Sequence, residues 1–259
     1  MALATKNTTQ TAWIYAICAE SGAGKTTMAD KFLAPYHLNI EGNQNTKHLR
    51  HFSSAPTTYK EVLSGMTDFA KEKHEHKTLI IDSVSQLERL FMSDISAAEG
   101  GKSFVECCGG YGKAYELLHQ RHKEFMSLCA KIRDEYHFNV VLLFHSTARE
   151  MELPGMPSFQ RWMPTLWKND KLDNNLIYQS MSDNWFHLRM DYDLVNDGAD
   201  EGSKIGADQV RRKVGITSAA ARKIGVQATT TYFAKNRLGL NGEFPFNLEQ
   251  PLLFLEGTK

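Results

Sequence analysis

AWIYAICAESGAGKTT, residues Ala12–Thr27, is the stretch whose reading decides the fold. Its first half, Ala12–Ala19, is a short apolar run of the kind that forms a parallel strand buried on both faces. The second half, Ala19-Glu20-Ser21-Gly22-Ala23-Gly24-Lys25-Thr26, fits the phosphate-loop pattern G-x-x-x-x-G-K-[ST] except that Ala19 replaces the first Gly. Ala is small enough to keep the strand exit tight. Glycines let the backbone curl so that successive N–H groups face one anion. The candidate phosphate-binding set is therefore Glu20, Ser21, Gly22, Ala23, Gly24, Lys25, Thr26 and Thr27, with ATP and Mg²⁺ as the expected ligands. Lys25 is placed to reach the β- and γ-phosphates and the Thr26 hydroxyl to ligate Mg²⁺. A helix over Thr26–Leu33, stopped by Pro35, would turn its positive end toward the phosphates.

Working outward, more strands of the same kind follow. His37–Ile40 reads as a second strand with Glu41 at its tip. Thr78–Ile81 is a third, ended by Asp82-Ser83. Asn139–Phe144 is another, ended by His145-Ser146. Helical periodicity covers Thr57–Glu72 and, more strongly, Lys113–His137, where Leu118, Phe125, Cys129, Ile132 and Tyr136 recur at helical spacing. Strands alternating with helices imply an α/β domain with a mostly parallel central sheet flanked by helices. In such sheets ligands bind outside the carboxyl ends of the strands. Asp82 is thus expected to hold Mg²⁺ with Thr26, Glu41 to orient and deprotonate the attacking water, and His145 to sense the γ-phosphate. For Glu41 and His145 the bland alternative is a polar group capping a strand end.

The second half of the chain is harder to read. Glu152–Lys171 holds three prolines and two tryptophans and reads as a long loop or a short irregular helix. Trp185–Met190 and Thr229–Ala234 look like strands. Between them, Asp191–Glu201 carries five acids and no base, whereas Lys204–Arg237 carries eight bases and one acid. Residues 191–227 read as a mobile charged excursion from the sheet, or as an ordinary solvated loop.

Length and composition bound the function. The chain has 259 residues, is 42% hydrophobic, and balances 30 basic against 30 acidic residues. That suits one domain spanning residues 1–259 and argues against a polybasic whole-surface binder. No apolar run approaches the roughly 18 residues of a transmembrane helix. The N-terminal residues show no apolar signal segment, so a cytoplasmic protein without membrane contact is expected. Cys18, Cys107, Cys108 and Cys129 form no metal-binding spacing and read as reduced thiols. His74-Glu75-His76 and the His119/His122 pair lack the further ligands a metal site needs.

The set of phosphate loop, Glu at the next strand tip, strand-end Asp and polar group at a later strand tip resembles the RecA-like P-loop NTPase core. More narrowly, the short loop start, Thr78–Leu87 (TLIIDSVSQL) and Asn139–Ser146 (NVVLLFHS) resemble the phage-type RecA-like AAA ATPases, among them the single-strand annealing ATPases of recombination. The resemblance covers residues 12–146 and resumes at 229–248. It implies an ATP hydrolase working as a homo-oligomer, ring or filament, with ATP at subunit interfaces, in a bacterial or phage-infected cytosol. Single-stranded DNA, and a single-strand-binding protein, are the implied partners.

The resemblance further implies a basic-Asn-basic strand end, Lys235-Asn236-Arg237, that serves the neighbouring subunit's ATP as a cation supplied in trans. A merely basic surface strand end is the alternative. Two loops carry over by position as DNA contacts, 97–113 with Lys102 and Lys113, and 147–171 with Arg149, Arg161, Trp162 and Lys168. Basic groups, aromatics and glycines suit backbone tracking and base stacking, although Trp162 and Trp167 could simply pack on the core. Arg211, Arg212 and Lys213 are further phosphate-contact candidates. Two other functions stay open: a nucleotide-gated scaffold or partner-loading NTPase that never touches DNA, and a small-molecule kinase, which Glu41 and the Lys235/Arg237 pair fit less well.

Overall fold

The computed structural model describes residues 12–42, 53–101, 103–152, 155, 157–190, 193–195, 213–215, 222–247 and 252. Strand β1 (Ile14–Ala19), buried at every residue, pairs in parallel with β4 (Asn139–Met151) on one side and β6 (Asn184–Met190) on the other. Beyond β4 lie β3 (Thr78–Asp82) and β2 (Pro35–Asn39), again parallel. Beyond β6 lie β9 (Arg222–Gly225) and β10 (Glu243–Phe246), both antiparallel to their neighbours. The sheet order is β10-β9-β6-β1-β4-β3-β2, and β5 (Phe159–Pro164) joins as an eighth strand by pairing antiparallel with the outer half of β4. The expected mostly parallel sheet flanked by helices is present.

The period of two along β1 divides the core. Ile14, Ala16 and Cys18 face a layer made by α2 (Tyr59–Lys71), α3 (Val84–Ala98), α4 (Lys113–Tyr136) and α5 (Asn174–Met181). Tyr15, Ile17 and Ala19 face the short α1 (Lys25–Ala29) together with Ile224, Val226, Phe246 and Leu252. Because β1, β2, β3, β4 and β6 run the same way, their carboxyl ends share one edge. Ala19 stands opposite His145 there, and Asn39 opposite Asp82.

A buried polar hub fastens the helical layer. Glu88 on α3 accepts from the Trp167 amide at 3.0 Å and from Asn174 Nδ2 at 3.1 Å, and meets His122 Nε2 at 3.0 Å. His122 Nδ1 in turn meets the Tyr178 hydroxyl at 2.6 Å. His119 is engaged with Asn174, and His74 with the Phe69 carbonyl. All four cysteines are free thiols; burial pushes that of Cys18 up to about 12. Among the described residues no helix is long and apolar enough to cross a membrane.

Several expectations need correction. The first helix stops at Ala29 rather than Leu33. Within Glu152–Lys171, expected to be a long loop or a short irregular helix, Phe159–Pro164 is instead a strand. β4 continues to Met151 and folds against β5 as a hairpin, so Arg149 and Arg161 face each other across the pair. Thr229–Ala234 forms no strand, only an isolated bridge from Tyr232 to Trp162, and the next residue, Lys235, bridges to Trp185. The supposed excursion 191–227 ends inside the sheet, since Arg222–Gly225 is β9. Its earlier part contributes a two-stranded ribbon, β7 (Asp193–Val195) against β8 (Lys213–Gly215), and residues 196–212 lie outside the described residues. Its expected mobility therefore falls on residues that are not described.

Candidate functional site

The phosphate loop begins where β1 reaches the carboxyl edge. Gly22 has φ +79° and Gly24 φ +100°. Both lie in the left-handed region that side chains other than glycine enter at a cost, which is why the loop carries glycine there. Gly24 then caps α1, and the Met28 amide donates to its carbonyl at 2.8 Å. With only five residues α1 adds little dipole, so anion recognition rests mainly on the loop amides. Ser21 and Gly22 are exposed at the loop apex, Ala23 and Lys25 are buried, and Thr26 and Thr27 are half-buried. The Lys25 ammonium folds back onto its own strand exit, donating to the Glu20 carbonyl at 2.9 Å and the Ala19 carbonyl at 3.3 Å. Burial lowers its pKa, against the pull of Glu41, Asp82 and other nearby anionic groups.

The other strand tips close on this loop. The Thr26 hydroxyl donates to Asp82 Oδ2 at 2.7 Å. Burial raises Asp82 above its ordinary range, with the Thr26 bond opposing. A hydroxyl and a carboxylate at hydrogen-bond distance form the hard-oxygen donor set that suits Mg²⁺, which keeps most of its own waters. Glu41, just beyond β2, lies beside both: its amide and that of Ile40 donate to the Asp82 carbonyl. Its carboxylate oxygen Oε1 accepts from Ser83 Oγ at 2.5 Å and meets His145 Nε2 at 2.5 Å. The His145 hydrogen bond, helped by Ser83 and Lys25, outweighs burial and holds the carboxyl down to about 2.

Sheet order explains how residues so far apart in sequence meet. β4 lies between β1 and β3, which places His145 between the phosphate loop and Asp82. A family model described as an AAA domain matches residues 11–238, which hold every strand of the sheet except β10 and every one of these strand tips. The chain belongs to this AAA domain family. No curated protein matches it. Membership makes the AAA domain one of a nucleotide-binding ATPase family, for which Mg²⁺ is the usual metal.

The remaining candidates of the AAA domain stand elsewhere. Lys235 donates to the carbonyls of Gln179, Ser180 and Ser182, closing the C-terminal end of α5. Arg237, its side chain 54% exposed, pairs with buried Asp183 at 2.9 Å. Asp183 also accepts from the Ile14 amide, so both cations lie at the start of β1, at the opposite edge from their own phosphate loop. Arg149 donates to the Leu166 carbonyl and Arg161 to the Tyr232 carbonyl. Trp162 is half-buried, its amide bonded to the Thr231 carbonyl. Lys113 and Lys168 are exposed. Trp167 stacks on Tyr115 at 4.0 Å and packs against the core rather than presenting a face to a base. Lys102, Arg211 and Arg212 lie outside the described residues, and of Lys213 only its place in β8 is described.

Sequence reasoning missed Ser83 and Ser85. Ser83 caps α3, accepting from the Gln86 amide while donating to Glu41. Ser85 Oγ accepts from the His145 amide and from Thr165 Oγ1. The signal was available: Ser83-x-x-Gln86 is an N-cap signature at the end of a strand.

Proposed function

We propose that the AAA domain is a Mg-dependent ATP hydrolase whose turnover is coupled to assembly on single-stranded DNA. The observation that carries this reading is the hydrogen bond between Glu41 and His145. It links the residue suited to activate water with the strand that continues directly into the β4–β5 hairpin.

The chemistry follows from the site. The loop amides and Lys25 receive the phosphates, while Thr26 and Asp82 supply the oxygens for the metal. Bound there, Mg²⁺ would neutralise charge on the β- and γ-phosphates. A carboxylate at about 2 is a weak base. Letting go of His145 makes Glu41 more basic and frees it to orient water. The base of the hairpin is tied to that event: the Thr165 amide donates to the His145 carbonyl, and Thr165 and His145 both bond Ser85.

The hairpin also supports the DNA reading. Arg149 and Arg161 are direct cross-strand partners. Like charges so placed are destabilising unless an anion joins them, and a nucleic-acid backbone supplies one. The loop before α4 presents Tyr111, fully exposed, beside Gly112 and exposed Lys113, a combination suited to stacking and phosphate contact. Lys235 is spent on three carbonyls as a helix cap, whereas Arg237, although ion-paired with Asp183, keeps a half-exposed side chain, so the trans cation is assigned to Arg237. It lies a strand length, roughly 20 Å, from its own loop and is therefore suited to the site of a stacked neighbour.

The test is the ATPase rate with and without single-stranded DNA across a salt series, with particle size followed in parallel. Stimulation that fades with salt, together with growth in size, is expected, and Arg149→Ala/Arg161→Ala should lose both. A rate and a size indifferent to DNA would favour the nucleotide-gated scaffold instead.

A further inference from the structure

Arg222 is the first residue of β9, yet its guanidinium reaches the phosphate loop: Nε donates to the Ala23 carbonyl at 3.0 Å, 199 residues away in sequence. Strand geometry explains the reach. β9 runs antiparallel to β6 with Arg222 opposite Met190, and Leu188 two residues earlier pairs with Ala19 at the loop entrance. Alternation along β9 puts Arg222 on the same face as Ile224, which packs in the layer containing Ala23, Met28 and Ala29 of the loop and α1.

The position within the site is informative. Thr26, Asp82, Glu41 and His145 mark the metal and water-activating end, on the β4-β3-β2 flank of β1. Arg222 approaches from the opposite flank, across β6. Among the described residues its other N–H donors have no hydrogen-bond or ion-pair partner. A planar guanidinium has five donors in a fork that matches phosphate oxygens in pairs, and one neutral carbonyl uses a small part of that capacity.

We propose that Arg222 is a second cationic arm of the nucleotide site, acting in cis on the α- and β-phosphates that ATP and ADP share. This rests on the nucleotide-binding reading above and adds to it a residue and a division of labour. Lys25 and the metal ligands serve the γ-phosphate end, and Arg222 serves the nucleoside end.

The experiment is titration of fluorescent MgATP and MgADP into the full chain and into Arg222→Ala, Arg222→Gln and Arg222→Lys, with melting curves to verify folding. Loss of a charge-assisted phosphate contact should weaken both nucleotides by about ten- to a hundredfold in the Ala and Gln variants. The Lys variant should fall between them and wild type, and the salt dependence of binding should become shallower. In steady-state hydrolysis the loss should fall on KM rather than kcat.

Gln retains an N–H donor for the Ala23 carbonyl. If Arg222→Gln binds both nucleotides like wild type, the residue only supports the loop and the proposal is wrong. If kcat collapses while MgADP affinity is untouched, Arg222 reads the γ-phosphate and the proposal is equally wrong. A wild-type chain that binds neither nucleotide would overturn the underlying reading and this one with it, and is distinguishable because the variants then play no part.

Discussion

Glu41→Gln should reduce the turnover number of ATP hydrolysis by about 10²- to 10⁴-fold while the protein still binds MgATP. Gln has nearly the same shape and can still accept from Ser83 Oγ, so the strand tip should survive. What it cannot do is take a proton from water. Phosphate release measured beside nucleotide affinity separates the two effects, and near-normal turnover would remove Glu41 from the chemistry. The same substitution has a signature in stability. The folded carboxyl is held at about 2, below the ordinary 4.5. Its contribution is therefore fully present above pH 4.5 and is lost as pH falls through 2. In acid-denaturation curves the Gln variant should lack that component, its stability changing less than wild type between those limits.

Asp183→Ala should cost about 2–3 kcal/mol of folding stability, because it strands a buried backbone donor and takes the counter-charge from part-buried Arg133 and half-exposed Arg237. Asp183, with its side chain 2% exposed, accepts from the Ile14 amide at 2.9 Å and from Arg133 Nη1 at 2.9 Å, and forms an ion pair with Arg237 Nη1 at 2.9 Å. Three elements converge on it: the start of β1, the last turns of α4, and the segment carrying Arg237. Removing the carboxylate strands a buried backbone N–H and leaves Arg133, whose pKa its Asp134 and Asp183 partners raise, with the Asp134 contact alone at the surface. Urea unfolding of the variant should show the midpoint falling with little change in slope. A loss below about 1 kcal/mol would mean that water replaces the carboxylate and that the apparent hub is loosely held.

How legible these features were depends on what kind of pattern carries them. β1, β3 and the inner half of β4 are continuous apolar runs because both faces are covered, and the phosphate loop is a local pattern; both could be read directly. α3 escaped because Glu88, buried at its heart, interrupts the apolar stripe of Val84, Leu87, Phe91 and Ile95. Its carboxylate is satisfied by residues far away in sequence, which periodicity cannot anticipate. The hairpin escaped because three prolines between Glu152 and Lys171, one of them Pro164 at the end of β5, suggested irregular structure, while its strands carry the weak alternation of a solvated pair. β9 hides in a basic stretch, since only Ile224 on its inner face announces a strand.

The candidate site divides the same way. Glu41, Asp82 and His145 were visible as strand tips. Their meeting depends on β4 lying between β1 and β3, which is a property of sheet order rather than of any local pattern. Thr229–Ala234 misled in the opposite sense. Tyr232 and Ala234 are buried in alternation as in a strand, but within that stretch the backbone makes only one isolated bridge, from Tyr232 to Trp162.

The most direct test of the central claim is a titration of MgATP into the wild-type chain and into Lys25→Ala. Saturable binding with hydrolysis is expected in the wild type, and loss of both in the variant, since no other described cation lies buried within the loop itself. Equal binding and turnover by the two proteins would contradict that claim.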